Sequence, residues 1–356
     1  MELLHNNLYL EDINKIINFN LPWDKLKNKK VLISGATGMI GSFLIDVLMN
    51  KHLSITIIAL GRNVNKAKER FKTYWNNSFF KFVECDINNP INLDFNVDFI
   101  IHLASNTHPV AYATDPIGTI TSNIFGTYNL LTIASENPNS RFLFASSNEI
   151  YGENRGDIEL FKENYCGYIN SNTLRAGYPE SKRCSEALCQ AFNSQKNVDF
   201  VIARLTRSFG PTLLSSDTKA LSQFIKNGIN GENIILKSDG TQFFSYTYVA
   251  DAVLGLLHVL LKGETGNAYN VADETCDITL KDLANLICKI SSKINNKNCQ
   301  VIFELPNEIE KKGFSKATKA RLDGNKLKSM GWHALYSLED SLMKTMIILK
   351  EISIKE

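Results

Sequence analysis

The sequence has neither the long apolar run of a membrane span nor the charge excess of a nucleic-acid-binding protein. No apolar stretch of its 356 residues is long enough to cross a bilayer. Its 39 Lys and Arg residues nearly balance its 37 Asp and Glu residues, and the net charge of +2 implies no general attraction to nucleic acid or to membranes. Polar side chains interrupt the early apolar residues, so we expect no signal peptide: Glu2, His5, Glu11 and Asp12.

The seven cysteines form no pattern typical of a zinc site or of a disulfide framework. Their number is odd, and no two of them are spaced as C-x-x-C. This usage fits a reducing compartment, so we expect a cytoplasmic protein without a bound metal. The composition is that of a globular protein, with 44% apolar and 21% charged residues, and the length allows one large domain or two.

Residues 30–42 combine a strand, a glycine turn and the start of a helix. Residues 31–33 are an apolar run typical of a buried parallel strand, and residues 43–49 are an apolar, helix-like stretch. Between them three glycines have the spacing G-x-x-G-x-x-G: Gly35, Gly38 and Gly41. Glycine lets the backbone approach a phosphate, and a helix N-terminus offers free N–H groups. Because the glycines directly follow a strand, a dinucleotide pyrophosphate site explains them better than a chance tight turn.

Four further strands are predicted, and small or polar residues follow each of them. The strands cover residues 55–60, 80–84, 99–103 and 141–145, and a helix is predicted over 119–136. Ligands of open parallel sheets bind at the carboxyl ends of the strands. We expect an α/β fold with a Rossmann-type doubly wound parallel sheet and a smaller C-terminal α/β lobe that binds the substrate.

The expected organisation has four parts. They are an N-terminal helical arm (1–29), a dinucleotide-binding domain (30–212 with 246–272), a substrate lobe (213–245 with 273–345) and a C-terminal tail (346–356). The arm is predicted to pack on the body or on a second subunit. Beyond about residue 213 the alternation of strands and helices loosens, which separates the lobe from the domain.

Three residues at the ends of the second and third strands bear on how a dinucleotide would be bound. Gly61 and Arg62 end the second strand, where NAD-binding folds carry an acidic residue for the adenosine ribose. An arginine suits a 2′-phosphate by its charge and its fork of N–H groups, so we favour NADP slightly over NAD, although a solvated loop arginine explains Arg62 equally well. Asp86 ends the third strand and could hold the adenine amino group or cap the next turn.

Tyr178 and Lys182 lie four residues apart, so a helix would place them on one face. A nearby ammonium stabilises phenolate, and we expect Lys182 to lower the pKa of Tyr178 and make it a usable base. Tyr-x-x-x-Lys is common by chance and gains meaning only downstream of the glycine turn. His108 follows the fourth strand and is a further candidate acid or base, although a lone loop histidine is more often structural or exposed.

Several longer stretches recur in one known family. They are Gly-Ala-Thr-Gly-Met-Ile-Gly at 35–41, His-Leu-Ala-Ser at 102–105, Ser-Ser-Asn-Glu-Ile-Tyr-Gly at 146–152, Tyr178 with Lys182, Phe-Gly-Pro at 209–211 and Tyr-Val-Ala-Asp at 248–251. With them the chain after residue 29 resembles the extended short-chain dehydrogenase/reductases of the NAD-dependent epimerase/dehydratase family, which modify nucleotide sugars. Residues 163–189 are most similar to the UDP-glucuronate decarboxylases, and next to the dTDP-glucose 4,6-dehydratases.

The resemblance implies a cofactor, a substrate and a reaction. It implies NAD or NADP, a nucleotide-diphosphate sugar, a homodimer that pairs through two helices including that of Tyr178, and a place in polysaccharide biosynthesis. The implied reaction passes through transient oxidation at C4 of the sugar. In it Tyr178 takes the C4 hydroxyl proton, Lys182 holds the nicotinamide ribose and keeps Tyr178 ionisable, Ser147 hydrogen-bonds the C4 oxygen, and Glu149 is a candidate base at C5.

The motifs also assign binding residues. The residues assigned to cofactor binding are Gly35, Thr37, Gly38, Met39, Ile40, Gly41, Arg62, Asp86, Ile87, Leu103, Ala104, Ser105, Asn123, Tyr178 and Lys182. The residues assigned to substrate binding are Thr107, Ser147, Asn148, Arg207 and Gln242.

Departures from the family pattern keep the outcome of the reaction open. The dehydratases carry Asp-Glu where this chain has Asn148-Glu149, and Asn148 is a poor acid for expelling a hydroxyl. The decarboxylases usually carry an arginine where Phe244 stands. Arg207 replaces a typical asparagine and could clamp a carboxylate or a phosphate, or pair with a local acid. Epimerisation, decarboxylation and dehydration stay open, beside an NADPH-dependent 4-ketosugar reductase and a dinucleotide-binding protein without turnover.

Overall fold

A seven-stranded sheet forms the centre of the protein, seen in a computed structural model that describes residues 3–107, 112, 114–304 and 318–353. Its strands are β1 (Lys30–Ser34), β2 (Thr56–Gly61), β3 (Phe80–Glu84), β4 (Phe99–His102), β5 (Arg141–Ser147), β6 (Asp199–Leu205) and β10 (Ala268–Val271). They lie in the order β3-β2-β1-β4-β5-β6-β10, and each neighbouring pair is parallel. The strand order reverses direction between β1 and β4, which opens a crevice at their carboxyl ends.

The sheet is apolar on both faces. In β1, Val31 and Ile33 belong to the core on one side and Leu32 to the core on the other. Parallel strands covered by helices on both sides have this composition. All five strands predicted from the sequence are present, and β6 and β10 extend the sheet beyond them.

Helices cover both faces of the sheet. The helices of the described chain are α1 (Asn7–Ile17), α2 (Met39–Asn50), α3 (Val64–Arg70), α4 (Pro116–Glu136), α5 (Gly177–Lys196), α6 (Ala220–Asn230), α7 (Val249–Lys262), α8 (Leu280–Asn295), α9 (Asn325–Lys328) and α10 (Leu338–Ser353). Leu130 of α4 and Cys189 of α5 pack on one face, whereas Phe43 of α2 and Val253 of α7 pack on the other. Asp115 caps α4 by accepting a hydrogen bond from the Gly118 N–H at 3.0 Å, so the helix begins three residues before its predicted start.

Shorter strands lie outside the main sheet. They are β7 (Arg207–Phe209), β8 (Ile234–Leu236), β9 (Phe243–Tyr248), β11 (Asp277–Thr279), β12 (Val301–Phe303) and β13 (Lys319–Ala320). In one small sheet β9 pairs with β7 and β13 in parallel and with β11 antiparallel, and in another β8 pairs with β12 in parallel. Consequently β7, which follows β6 after one residue, connects the main sheet to β9. The division into domain, lobe and tail stays a prediction.

The N-terminal arm packs on the body of its own chain. The Tyr9 hydroxyl donates to the Asp46 carboxylate of α2 at 2.5 Å. Asp12 is fully buried, and it accepts hydrogen bonds from the hydroxyls of Tyr248 and Tyr336 at 2.5 and 2.6 Å and pairs with Lys344 at 2.7 Å. The arm therefore joins the start of α7 to the C-terminal helix. None of the described helices has the length and apolarity that a bilayer span needs.

Candidate active site

The glycine turn after β1 leaves room that side chains would fill. Gly35 has a φ of +69°, and a Cβ there would lie 2.7 Å from the backbone nitrogen of Ala104 at the end of β4. A Cβ on Gly41 would collide with the carbonyl oxygen of Gly35. Gly38 precedes α2 and has no side-chain cap, so the N–H groups of the first helical turn face the turn without a side-chain acceptor. This geometry fits a dinucleotide pyrophosphate.

The remaining residues of this turn are fixed by their neighbours. Thr37 is half-buried within the turn, and Met39 and Ile40 open α2. The carbonyl oxygen of Met39 accepts a hydrogen bond from the Thr212 hydroxyl at 2.8 Å. The turn is thereby tied to the segment that follows β7.

The ends of β2 and β3 carry the residues assigned to the adenosine half of the cofactor. Arg62 is exposed directly after β2. The Asp86 carboxylate accepts the Asn88 N–H at 3.0 Å, which is the turn-capping role that the sequence left open. Ile87 packs on α4, where a Cβ at Gly126 would approach its side chain to 2.5 Å.

A chain of hydrogen bonds joins the end of β4 to α4 and α5. The Ser105 hydroxyl donates to Asn123 at 2.7 Å, and the Asn123 amide donates to the Ser181 hydroxyl at 2.9 Å. Leu103 and Ala104 precede Ser105, and the Ala104 N–H donates to the Ser34 hydroxyl at 3.3 Å. His108 lies outside the described residues.

Lys182 is held against the carboxyl end of β5. Its ammonium donates to the carbonyl oxygen of Ala145 at 2.8 Å and lies 4.7 Å from the centre of the Phe144 ring. Burial lowers the pKa of Lys182 to about 7, because a charged amine loses its hydration there. The same surroundings, together with Lys182, hold the pKa of the buried His102 well below its usual value.

Tyr178 lies one turn before Lys182 on α5 and is buried. Its ring stacks on that of Tyr112 with 4.9 Å between the ring centres. Burial is the largest cause that raises the pKa of Tyr178, and the charge of Glu149 raises it further, while the hydroxyls of Ser147 and Ser105 oppose the increase. Ser147 thus lies beside the phenol.

The expected effect of Lys182 on Tyr178 is wrong for this structure. The pKa of the phenol is raised, and Lys182 is not among the largest causes of its shift. The physical reason is desolvation, which disfavours phenolate and ammonium alike when both groups are buried. Among the largest causes, the positive charge is that of Arg175, which lowers the pKa of Tyr178.

Glu149 and Arg175 form an ion pair beside Tyr178. The Arg175 NH2 lies 2.8 Å from Oε1 of Glu149, and both side chains are partly exposed. The Arg175 guanidinium also lies 4.9 Å from the centre of the Tyr112 ring. Asn148 precedes Glu149 in a buried 3-10 turn, which Ser147 caps through the Glu149 N–H at 3.2 Å.

Arg207 points across β9. Its guanidinium lies 3.6 Å from the centre of the Phe244 ring, and its NH1 is buried without a hydrogen-bond partner. Burial lowers its pKa, whereas the nearby Tyr246 and Glu149 raise it. Within the described ranges it forms no ion pair with an acidic residue, so the local pairing that the sequence left open is absent.

The other predicted substrate residues have protein partners. The Thr107 hydroxyl accepts a hydrogen bond from the Lys219 ammonium at 3.5 Å. Lys219 also pairs with Asp217 at 3.3 Å. Gln242 precedes β9, and its side chain accepts a hydrogen bond from the Ser238 hydroxyl at 3.2 Å. Gln242 therefore has a local role in the turn before β9.

A protein-family model described as the NAD dependent epimerase/dehydratase family matches residues 31–272, which is more than half of the chain. The chain belongs to this family. The match covers the glycine turn, Tyr178 and Lys182, and it confirms the resemblance predicted from the motifs.

Curated members of the family are similar over most of their length. UDP-glucuronic acid decarboxylase 3 of Arabidopsis thaliana is 30% identical over 316 residues, which are 88% of this chain and 87% of that protein. UDP-glucuronic acid decarboxylase 1 of Danio rerio is 30% identical over 319 residues, which are 89% of this chain and 72% of that protein. These relatives are enzymes, as the sequence predicts for this chain.

Solved structures confirm the predicted fold class. A UDP-glucuronic acid 4-epimerase from Bacillus cereus, in complex with UDP-glucuronic acid and NAD, matches with a TM-score of 0.75 at 22% identity over 91% of this chain and 99% of that chain. A dTDP-glucose 4,6-dehydratase from Bacillus anthracis, in complex with NAD, matches with a TM-score of 0.74 at 19% identity over 91% and 97% of the two chains.

Two side chains of this family member were not assigned to the site from sequence. Arg175 lies within the stretch 163–189 that carries the family resemblance, and none of the motifs contains Lys219. Arg175 lies three residues before Tyr178, and that short spacing was a signal available for it. Lys219 approaches Thr107 from 112 residues away in the chain, so no local pattern indicates it.

Proposed function

We propose that this chain is a nucleotide-sugar enzyme that oxidises C4 of its substrate transiently to a 4-keto sugar. The observation that carries the proposal is the meeting of Tyr178, Lys182 and Ser147 beside the end of β5. The glycine turn that could hold a pyrophosphate lies at the same edge of the parallel sheet. Such a placement is what hydride transfer between a sugar carbinol and a dinucleotide requires.

In the proposed reaction the chain's own groups move protons and orient the sugar. Tyr178 takes the proton of the C4 hydroxyl, and Ser147 hydrogen-bonds the C4 oxygen. When bound, the dinucleotide supplies a reversible hydride acceptor, with Lys182 against its ribose. The 4-keto group acidifies C5, and Glu149 is the proposed base there.

We propose a UDP-sugar as the substrate, with Thr107, Ser147, Asn148, Arg207 and Gln242 as the residues that contact it. Support comes from the curated relatives, which are named for UDP-glucuronic acid. The test is mass spectrometry after incubation with a panel of UDP-, dTDP-, GDP- and CDP-sugars. Loss of CO₂, loss of water or an unchanged mass with altered stereochemistry identifies decarboxylation, dehydration or epimerisation.

Tyr178→Phe is the decisive variant for this mechanism. It removes the hydroxyl and keeps the ring that stacks on Tyr112. We expect turnover to vanish while dinucleotide affinity stays within about threefold of the wild type, a difference of about RT in binding free energy. Unchanged turnover would show that Tyr178 is not the base.

The alternative is a 4-ketosugar reductase, and cofactor stoichiometry distinguishes it. A reductase consumes NADPH in proportion to product, whereas transient oxidation leaves the amount of reduced cofactor unchanged. The assay is absorbance of the reduced nicotinamide during turnover. A chain that binds dinucleotide and alters no sugar would instead be a non-catalytic binding protein.

For the cofactor we propose NAD or NADP, with a slight preference for NADP. The support is Arg62, which is exposed after β2 where a 2′-phosphate would be accessible. We expect Arg62→Ala to weaken NADP and leave NAD affinity unchanged, as measured by quenching of tryptophan fluorescence. Equal affinities of the wild type for both dinucleotides would contradict the preference.

We propose a cytoplasmic homodimer that pairs through α4 and α5. Large apolar side chains are exposed on α4: Ile117, Phe125 and Tyr128. All seven cysteines are free, which fits a reducing compartment. Light scattering of the wild type and of Phe125→Lys tests the interface, and a wild-type monomer would contradict it. Exposed Phe79→Lys, distant in sequence on the segment before β3, is the matched control.

A further inference from the structure

Two cysteines in the C-terminal part of the chain have their sulfur atoms in contact. Sγ of Cys299 lies 2.7 Å from Sγ of Cys288. Cys288 belongs to α8, and Cys299 lies two residues before β12. The S–S bond of a disulfide is about 2.0 Å long, so the two sulfurs would have to approach each other by only about 0.7 Å to form one. The fold therefore brings together the two atoms that a disulfide joins.

Hydrogen bonds on two sides hold the Cys299 segment in this position. The Cys299 N–H donates to the Ser292 hydroxyl of α8 at 3.3 Å. The next N–H, that of Gln300, donates to the Asn233 side chain at 3.0 Å, and β12 then pairs with β8 in parallel. The position of Cys299 is thus fixed through its backbone, and a bond between the sulfurs would leave those hydrogen bonds in place.

Burial protects the two thiols in the closed structure. Cys288 is 6% exposed and Cys299 is 7% exposed. Burial raises the pKa of Cys288 to about 12, and the hydrogen bond with Cys299 contributes to the increase. Because the thiolate is the form that attacks a disulfide, the pair reacts when the Cys299 segment opens transiently from α8. In the described part of the chain the sheet of β12 has two strands, so this opening breaks the pairing with one neighbour.

We propose that Cys288 and Cys299 are a site of reversible disulfide modification, which links the β12 segment covalently to α8 in the presence of a low-molecular-weight disulfide such as oxidised glutathione. The inference is independent of the proposed function, because neither cysteine is among the residues assigned to the cofactor or to the substrate.

The modification proceeds by two thiol–disulfide exchanges. The thiolate of one cysteine attacks the S–S bond of oxidised glutathione and releases one molecule of reduced glutathione. The thiolate of the other cysteine attacks the mixed disulfide at the protein sulfur and releases the second. One S–S bond breaks in glutathione and one forms in the protein, which loses two protons and two electrons to the two glutathione molecules.

The redox state of the surroundings determines which form is present. A reducing glutathione pool keeps both thiols free, as they are in the structure. The link forms when the oxidised share of the pool rises, and it is removed by the reverse exchanges when that share falls.

Mass spectrometry of the wild-type chain tests the inference. We would equilibrate the protein with glutathione at increasing ratios of the oxidised to the reduced form, quench with acid, alkylate the remaining thiols in urea and digest with trypsin. Lys289, Lys293 and Lys297 lie between the two cysteines, so trypsin separates their peptides and only a disulfide holds them together. We expect the linked peptides to accumulate with oxidised glutathione and to disappear on return to the reduced form.

Cys184 and Cys189 are a matched control within the same chain. They lie five residues apart on α5, one exposed and the other buried, and that spacing places them on different sides of the helix. These two should not become linked to each other. Alkylation of both Cys288 and Cys299 at every ratio, or glutathione bound to one of them without a link, would overturn the proposal.

Thermal unfolding tests whether the link fastens β12 to α8. A disulfide that closes so short a loop should raise the unfolding temperature of the wild type by about 2–5 °C in oxidised relative to reduced glutathione. Cys288→Ala should abolish this increase, whereas Cys184→Ser, at an exposed cysteine, should retain it. Equal unfolding temperatures of the linked and unlinked wild type would contradict the fastening, and this comparison depends on no variant.

Discussion

Lys182→Met should stabilise the protein while it abolishes turnover. The ammonium of Lys182 is buried, and its pKa falls from 10.5 to about 7. At 1.36 kcal/mol per pKa unit, this fall corresponds to roughly 5 kcal/mol of unfavourable free energy for the charged form in the folded state. Methionine has a similar length and carries no charge, so it removes this cost.

The gain is reduced by one lost hydrogen bond. Lys182 donates to the carbonyl oxygen of Ala145 at 2.8 Å, and a buried acceptor left unpaired costs about 1–3 kcal/mol. We therefore expect Lys182→Met to raise the free energy of unfolding by about 2–4 kcal/mol at pH 7. Catalysis should disappear, because the proposed contact with the cofactor ribose is lost.

The pH dependence has a definite sign. Because the pKa of Lys182 is lower in the folded state, the unfolded chain binds more protons between pH 7 and the ordinary value of 10.5. Lys182 thus destabilises the folded state to its full extent below pH 7, and this destabilisation disappears as the pH rises from 7 to 10.5. The gain in free energy of unfolding that Lys182→Met gives over the wild type should therefore decrease across the same pH range.

Urea denaturation of dinucleotide-free protein at pH 7 and pH 10 is the assay. Lys344→Met is the matched control, since Lys344 is also buried but pairs with Asp12 at 2.7 Å and with Glu11 at 3.1 Å. Its removal takes away the cation that pairs with the Asp12 carboxylate, so this variant should be less stable than the wild type. A Lys182→Met protein that is less stable than the wild type at pH 7, or whose gain does not fall towards pH 10, would refute the reasoning.

Three further outcomes are expected. Glu149→Gln should stop incorporation of solvent deuterium at C5, measured by mass spectrometry, and the absence of incorporation in the wild type would exclude the proposed base. Burial raises the pKa of Asp251 to about 7, so the free-energy cost of its buried carboxyl group grows from about pH 4 to pH 7. Asp251→Asn keeps the acceptor for the Leu335 N–H. We expect this variant to be more stable than the wild type by on the order of 2–4 kcal/mol at pH 8, and equally stable at pH 4. If the free energy of unfolding, measured in urea, depends on pH equally in this variant and in the wild type, this expectation is contradicted. Asp12→Ala should lower the free energy of unfolding by about 3–5 kcal/mol, because it removes a buried, paired carboxylate. Glu11 is partly exposed, so Glu11→Ala should lower it by less than about 1 kcal/mol. Similar small losses for both variants would show that the arm is not held by Asp12.

The order of the main elements and the position of the glycine turn were predictable from the sequence. The signals are local: an apolar run of strand length, glycines directly after it, and a tyrosine and a lysine four residues apart. Interactions between neighbours in the chain decide strands, turns and helix starts, so a short window contains the information. The family motifs extended these predictions to the individual site residues.

The electrostatics of the site, in contrast, depend on how the chain folds. Whether Lys182 or Arg175 acts on Tyr178 depends on burial and on distances between side chains, which spacing along a helix does not contain. Likewise, Arg207 meets Phe244 because β7 and β9 pair, although 37 residues separate the two in the chain. Desolvation of Arg207, and its lack of an acidic partner among the described residues, are properties of the folded surroundings, and they determine the charge that this site presents to a substrate.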